Sequence, residues 1–178
     1  TINRDYLSHD TRRVDREKWF QEAVAKKGFR VLLGKHTNQH VNNPTEVISI
    51  ARAVIDNNSN KILGVILVDQ KIAQIGKIIE NIQIGEKGSI FIVDHQNQLI
   101  YSNDNRMFQL ISSRKKFTDK LSQKKALSYS VGSHEQKIII NQNFSDYTQW
   151  KVISCLPYPE LMKESQVILG ILVVVSLV

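Results

Sequence analysis

The chain has 178 residues, of which 42% are hydrophobic and 23% charged, and its 24 Lys and Arg against 17 Asp and Glu give a net charge of +7. This composition is that of a folded globular protein, and it excludes disorder, collagen and coiled coil as descriptions of the whole chain. The length suits one large domain or two small ones. Because Cys155 is the only cysteine, an internal disulfide and a zinc site built on several cysteines are both excluded.

The first half of the chain has the pattern of a helix, an antiparallel sheet and a second helix. Apolar residues at helical spacing alternate with β-branched runs, and Gly28 and the Asn-rich segment 57–60 mark the breaks between them. The expected elements are, in order, a helix over 15–27, a strand over 29–33, a loop over 35–45, a hairpin of strands over 47–55 and 62–68, and a helix over 70–81.

The second half repeats this theme with more strands. Gly85 and Gly88 bracket a turn in which Gly88 is expected to need a positive φ, and Asp94 is expected to support the reversal after the next strand. The segment 103–125 predicts a mixture of helix and loop. The expected strands cover 89–93, 99–102, 126–131, 136–142 and 150–156.

Together these elements predict an α+β fold of two tandem modules, each an antiparallel sheet flanked by helices, over residues 1–77 and 78–160. The run Val167–Val178 is uncharged and almost wholly apolar, and it supplies about a dozen of the roughly 20 residues that cross a bilayer as a helix. We therefore expect 165–178 to begin a transmembrane helix and the chain to be a piece of a longer membrane protein. The alternative is a buried C-terminal strand or helix of a soluble domain.

Several motifs occur in an order that resembles a known family, the double Cache domain. They are Trp19-Phe20 after Asp15-Arg16, Gly64-Val65 with Asp69, Gly85 and Gly88 with Phe91, Val93 and Asp94, and Trp150 with Val152, Ile153 and Pro157 before the apolar tail. Double Cache domains are PAS-like extracellular sensors of bacterial membrane receptors. The resemblance covers roughly residues 10–165 and is strongest to the sensors of YesM-type histidine kinases.

The resemblance implies an extracytoplasmic domain of a cell-membrane receptor that is a homodimer at full length. The distal module would bind a small organic ligand, such as an amino acid or an organic acid, without a cofactor. The proximal module would transmit the change to the membrane helix by a shift between two conformations. Two alternatives stay open: the sensor domain of a chemoreceptor, and a ligand-free module that docks a surface or periplasmic binding protein.

The resemblance also implies a set of ligand-binding residues in the first module, and Ser49 could also face the pocket. In members that bind amino acids, an Arg lies where this chain has Glu17, and a Tyr where it has Phe20, so a bidentate grip on a carboxylate is not expected here. The candidates are Lys18, Trp19, Phe20, His36, Asn38, Arg52 and Asp69.

Each candidate also has a purely structural interpretation. Trp19 and Phe20 could belong to the core, and Asp69 could cap the helix that follows it. His36 could be a solvated loop residue, and Arg52 could lie on an exposed strand face.

Other classes of function lack a supporting pattern. The sequence contains neither a Gly-x-Ser-x-Gly nucleophile motif nor a phosphate-binding glycine loop, so we expect no enzymatic activity in this domain. His36 and His40 have a spacing that zinc ligands can use, but Pro44 and its neighbours predict a loop there, so no metal is expected. The basic residues are dispersed and lack interleaved aromatic residues, which argues against nucleic acid as a partner.

Overall fold

The structure is a computed structural model that describes residues 14–38, 43–133 and 136–162. The chain falls into two compact units that divide between Ile75 and Gly76. Among the described residues, no helix is both long and apolar enough to cross a membrane. The predicted membrane segment over 165–178 lies outside the described residues.

The described part of the first unit contains the helix α1 and a three-stranded antiparallel sheet. A short 3-10 helix, Val14–Arg16, precedes α1, and the sheet has the order β1-β2-β3. A small core of Ala23, Val31 and Ala51 lies between helix and sheet. The elements of this unit are α1 (Lys18–Ala25), β1 (Val31–Thr37), β2 (Glu46–Ile55) and β3 (Ile62–Lys71).

The hairpin of β2 and β3 is confirmed, and the strand bounds of this unit differ from the prediction by one to four residues at four ends, two of which affect the site. The first strand does not end before Gly34 but runs to Thr37. Its register against β2 shifts between Leu33 and His36, so pairing continues past the glycine. The expected loop therefore begins later than 35. The strand β3 runs to Lys71, so Asp69 lies inside a strand and not at its end.

The second unit contains a five-stranded antiparallel sheet of order β5-β4-β8-β7-β6. The predicted strands are all present, two with the predicted bounds, one displaced by one residue at its start and two displaced by one or two residues at both ends. The boundary between the units falls inside α2 (Ile72–Ile79). The other elements are β4 (Ser89–Val93), β5 (Leu99–Ser102), α3 (Asn105–Ser112), α4 (Lys115–Leu121), β6 (Leu127–Val131), β7 (Ile138–Phe144) and β8 (Lys151–Pro157).

The core of the second unit lies between one face of this sheet and the helices α3 and α4. Phe91, Phe117 and Ile153 are fully buried in it, and Phe108 packs its ring 5.3 Å from that of Phe91. The segment 103–125 becomes two helices because Asp104 caps the first, accepting bonds from the backbone N–H groups of residues 106 and 107. This core supplies most of the apolar burial of the unit.

The turns around β4 agree with the prediction in one case and correct it in the other. The Asp94 carboxylate accepts the backbone N–H groups of Gln96 and Gln98, each at 2.8 Å, so its role in the reversal is confirmed. Gly88 does not have a positive φ, and it is Gly85, with φ +58°, that does. A side chain at Gly88 would instead collide with Ile84, which makes its requirement steric.

Candidate functional site

A cavity of about 210 Å³ lies in the first unit, where the ends of β1 and β3 meet the start of α1. Its lining combines an indole, an imidazole, an amide and two carboxylates with little aliphatic surface. The lining residues are Glu17, Trp19, His36, Thr37, Asn38, Leu67 and Asp69.

Asp69 is held in a fixed orientation by two side chains. The Ser49 hydroxyl donates to its Oδ1 at 2.6 Å, and the Asn38 amide donates to its Oδ2 at 3.3 Å. Ser49 and Asn38 are buried, with 3% and 7% of their surfaces exposed. Since a carboxylate accepts about four hydrogen bonds, Asp69 keeps acceptor capacity for a group inside the cavity.

The sequence positions these groups through strand register. Ser49 pairs directly with Asp69 across β2 and β3, so both side chains lie on one face of the sheet. Asn38 ties the following loop closed: its backbone N–H donates to the carbonyl of Thr45 at 3.1 Å, and its side-chain oxygen accepts from Thr45 N–H at 2.8 Å. The Asp69 cradle is therefore built on three adjoining strands and their connection.

His36 extends this network. Its Nδ1 lies 2.8 Å from the carbonyl oxygen of Gly34, which can only accept, so Nδ1 carries a proton. Its Nε2 lies 3.3 Å from Ser49 Oγ, whose single hydrogen points to Asp69. Ser49 therefore lies between His36 and Asp69 and links the two side chains in one polar cluster.

The charge of the cavity is set by its two carboxylates. Glu17 and Asp69 both line it, and no Lys or Arg is among its described lining residues. The indole of Trp19 lies at the same wall, and the electron-rich face of an indole attracts cations. Of the small ligands that a cavity of this size admits, this lining favours those that carry a positive charge.

Four of the seven predicted residues are brought together in this cavity, namely Trp19, His36, Asn38 and Asp69. Trp19 also packs against the core of the first unit, so its structural interpretation is confirmed, and its contact with a ligand stays a prediction. His36 belongs to a strand and not to a solvated loop.

The other three predicted residues lie outside the cavity lining. Lys18 points to solvent and pairs with Glu22 at 3.8 Å. Phe20 packs edge-on against Trp19, with ring centroids 5.8 Å apart. Arg52 is on an exposed face, as its structural interpretation expected, and its Nε donates to the carbonyl of Gly28 at 2.6 Å.

Sequence reasoning did not select Glu17, Thr37 or Leu67 as site residues, and it named Ser49 only as a residue that could face the pocket. The alternation of β3 offered a signal for Leu67, which is two positions from Asp69 and therefore on the same face. Ser49 required the register of β2 against β3, which the turn at 57–60 fixes only approximately. His40, which was considered with His36 as a zinc ligand, lies outside the described residues. The described residues contain no cluster of three or more side chains that could hold a metal ion.

Comparison with known families accounts for this arrangement. Residues 3–165 match the Cache domain family, in its double-Cache form. The chain belongs to the Cache domain family. Cache domains are extracellular sensor domains of membrane receptors, so the α+β fold with its antiparallel sheets is that of a PAS-like sensor domain.

Solved Cache domains have the same fold at low sequence identity. The ligand-binding domain of Mlp24, solved with asparagine, is 14% identical with a TM-score of 0.61, and the match covers 88% of this chain and 62% of that one. The periplasmic sensory domain of the Campylobacter jejuni chemoreceptor Tlp1 is 12% identical with a TM-score of 0.66, covering 84% of this chain and 58% of that one. The extracellular domain described as that of a histidine kinase, mmHK1S-Z3, is 10% identical with a TM-score of 0.65. That match covers 85% of this chain and 57% of that one.

One characterised relative is similar in sequence. The methyl-accepting chemotaxis protein TlpA of Bacillus subtilis is 26% identical over 135 residues, which are 75% of this chain and 19% of TlpA. The chain thus spans about a fifth of the length of that relative and somewhat over half of the solved domains.

Proposed function

We propose that this Cache domain is the ligand-sensing part of a bacterial transmembrane receptor and that it binds a small ligand bearing an ammonium group. The observation that carries the proposal is Asp69, an oriented carboxylate with free acceptor capacity at the wall of a cavity. An ammonium group would donate to Asp69, with Glu17 adding a second negative charge and Trp19 an aromatic face.

Primary amines and amino acids both carry the required group. Mlp24 was solved with asparagine, and a Pseudomonas aeruginosa chemoreceptor, PctB, with L-Arg, which makes amino acids the first class to test. The cavity of this chain, however, has no Lys or Arg among its described lining residues to hold the carboxylate of an amino acid. This difference favours amines without a carboxylate, and it argues against organic acids.

The receptor assignment extends the proposal beyond the domain itself. We propose two modules, with the ligand-binding one distal to the membrane, the second one proximal, and a C-terminal membrane helix over 165–178. In a homodimeric receptor, ligand binding would shift the equilibrium between two arrangements of that helix. The similarity to TlpA favours a chemoreceptor output, and a YesM-type histidine kinase is the second candidate.

A thermal-shift screen of the chain against primary amines, amino acids and organic acids tests the ligand class. A ligand present at 100 times its dissociation constant adds about 2.7 kcal/mol to stability, which a melting curve resolves. We expect amines to stabilise the protein. The Asp69→Asn variant should then lose at least about tenfold in affinity, because a charge-assisted hydrogen bond is removed.

The matched control is Asp119→Asn, which removes the same charge from an exposed position on α4. It should leave the affinity unchanged. Stabilisation by organic acids but not by amines, or equal affinity in the Asp69→Asn variant, would overturn the proposed site. A blank across the whole screen would shift support to the docking of a surface or periplasmic binding protein.

A further inference from the structure

The second unit contains a cavity of its own, which the proposed function does not use. Its volume is about 310 Å³, within the range of roughly 300–1,000 Å³ usual for small-molecule sites. It lies between α3 and the edge where β7 begins and β8 ends. The lining residues are Met107, Leu110, Arg114, Gln136, Lys137, Ile138 and Pro157.

The lining divides into an apolar part and a cationic part. Met107 and Leu110 come from α3, and Ile138 pairs with Pro157 across β7 and β8. These four side chains form an aliphatic wall. Arg114 and Lys137 are the two charged residues of the lining, and both are positive.

The two cations have no acidic partner in the described chain. Arg114 Nε is buried and has no hydrogen-bond partner there, although it is a strong donor. Lys137 Nζ lies 4.4 Å from the ring centroid of Tyr158.

A buried donor without a partner is unfavourable because it has lost its water without gaining an acceptor. A carboxylate in the cavity would accept from the Arg114 guanidinium in the planar geometry that arginine prefers, and Lys137 would add a second charge. The aliphatic wall requires the remainder of the ligand to be apolar. Charge and shape therefore select one chemical class.

We propose that the second unit binds a small aliphatic monocarboxylate between α3 and the β7–β8 edge, with Arg114 and Lys137 holding the carboxylate. This site is opposite in charge preference to the cavity at Asp69. The domain would then respond to two ligand classes, one for each unit. The inference rests on the second unit alone and is independent of the proposed function.

Isothermal titration calorimetry of the 178-residue chain with 4-methylpentanoate tests the proposal. The neutral amide of this acid and acetate are titrated for comparison. We expect one site for 4-methylpentanoate and at least about tenfold weaker binding of the amide, which lacks the charge, and of acetate, which lacks the chain. Arg114→Gln and Lys137→Gln should each weaken binding about tenfold or more. Arg114→Lys keeps the charge but loses the planar guanidinium, so its affinity should lie between that of the glutamine variants and that of the parent.

Two controls place the effect in this cavity. Lys116→Gln removes one positive charge from an exposed position on α4 and should leave binding unchanged. Asp69→Asn should also leave it unchanged, so failure here is separable from failure of the proposed amine site. Thermal unfolding without ligand shows whether each variant is folded. If Arg114→Gln does not fold, Lys137→Gln alone tests the role of the cationic residues.

Three results would overturn the proposal. The first is no heat of binding for 4-methylpentanoate at millimolar concentration. The second is equal affinity for the acid and its amide, or for the parent and a folded Lys137→Gln variant. The third is loss of binding in the Asp69→Asn variant, which would assign the acid to the first unit.

Discussion

Ser49 lies opposite Asp69 in the register of β2 and β3, and its hydroxyl donates to Asp69 Oδ1 over 2.6 Å. The Asn38 amide contacts the other carboxylate oxygen at the longer distance of 3.3 Å. Because Ser49 is buried, water cannot readily take its place as a donor. The orientation of the Asp69 carboxylate therefore depends mainly on this one hydroxyl.

Replacing Ser49 with alanine tests that dependence. We expect Ser49→Ala to lower the free energy of unfolding of the first unit by about 1 kcal/mol, because the carboxylate loses its shorter hydrogen bond. Urea unfolding followed by Trp19 fluorescence, in a Trp150→Phe background, measures the change. Ser128→Ala, at an exposed position of β6, is the control for loss of a hydroxyl. Equal unfolding midpoints for Ser49→Ala and the parent would contradict this account.

At the scale of residues, the sequence predicted the centre of the cavity better than its surroundings. The family resemblance, which depends on short local sequence motifs, predicted four of the cavity's residues: Trp19, His36, Asn38 and Asp69. Lys18 and Phe20 neighbour a lining residue in sequence, but helical geometry directs them elsewhere, because residues one apart on a helix do not share a face. The pairing of Ser49 with Asp69 required strand register, which is a tertiary property.

Among the elements, the connection from α2 to β4 is the most constrained. Gly88 leaves no room for a side chain: a Cβ there would meet the carbonyl of Ile84 and come within 2.7 Å of its Cβ. The Glu160 carboxylate accepts the backbone N–H groups of Glu86 and Lys87 in the same connection. Gly64 in β3 is the opposite case, since a Cβ there would meet no atom within 4 Å.

These two glycines give a matched pair of alanine variants. We expect Gly88→Ala to destabilise the second unit by about 1–3 kcal/mol, because the Ile84 backbone must move. Gly64→Ala should be neutral or stabilise by up to about 1 kcal/mol, since alanine is preferred to glycine inside a strand. Thermal unfolding of both variants and of the parent measures these changes in stability. A Gly88→Ala variant as stable as the parent would show that the connection can rearrange.

The elements themselves were largely predictable, and the errors have identifiable causes. The strands β4 and β5 were given correctly because Gly88, Asp94 and the Asn-containing turn bound short apolar runs. The end of β1 was misplaced because Gly34 resembles a strand end, whereas here pairing with β2 continues past it through the shifted register. The start of α2 was placed at Gln70 because nothing local ends β3 before Ile72.

At the scale of the whole molecule, two acidic groups of the second unit contribute to the response of stability to alkali. Burial raises the pKa of the Cys155 thiol to about 12. Burial, and then the nearby Cys155, raise the pKa of the Tyr129 hydroxyl to about 12. Both residues pair with Ile140 from the strands on either side of it, so they lie close together in the sheet.

The sign of the effect follows from proton binding. In the unfolded chain a cysteine titrates near ~8.5 and a tyrosine near ~10, so the unfolded state releases these protons first. The free energy of the unfolded state therefore falls relative to that of the folded state as the pH rises, and the protein becomes less stable. The stabilising contribution of both groups is complete below pH ~8.5 and is lost progressively up to about pH 12.

We therefore expect the unfolding midpoint of the second unit to be insensitive to these two groups below pH ~8.5 and to fall steadily above it. Tyr129→Phe should reduce this fall without harming stability at pH 7, because the Tyr129 hydroxyl is buried without a hydrogen-bond partner in the described chain. Cys155→Ala should also flatten the alkaline limb, although it loses stability at every pH through the cavity it creates. Urea unfolding between pH 6.5 and 11, followed by Trp150 fluorescence in a Trp19→Phe background, measures both slopes. Parallel curves for the parent and the Tyr129→Phe variant across this range would show that Tyr129 titrates equally in the folded and unfolded states.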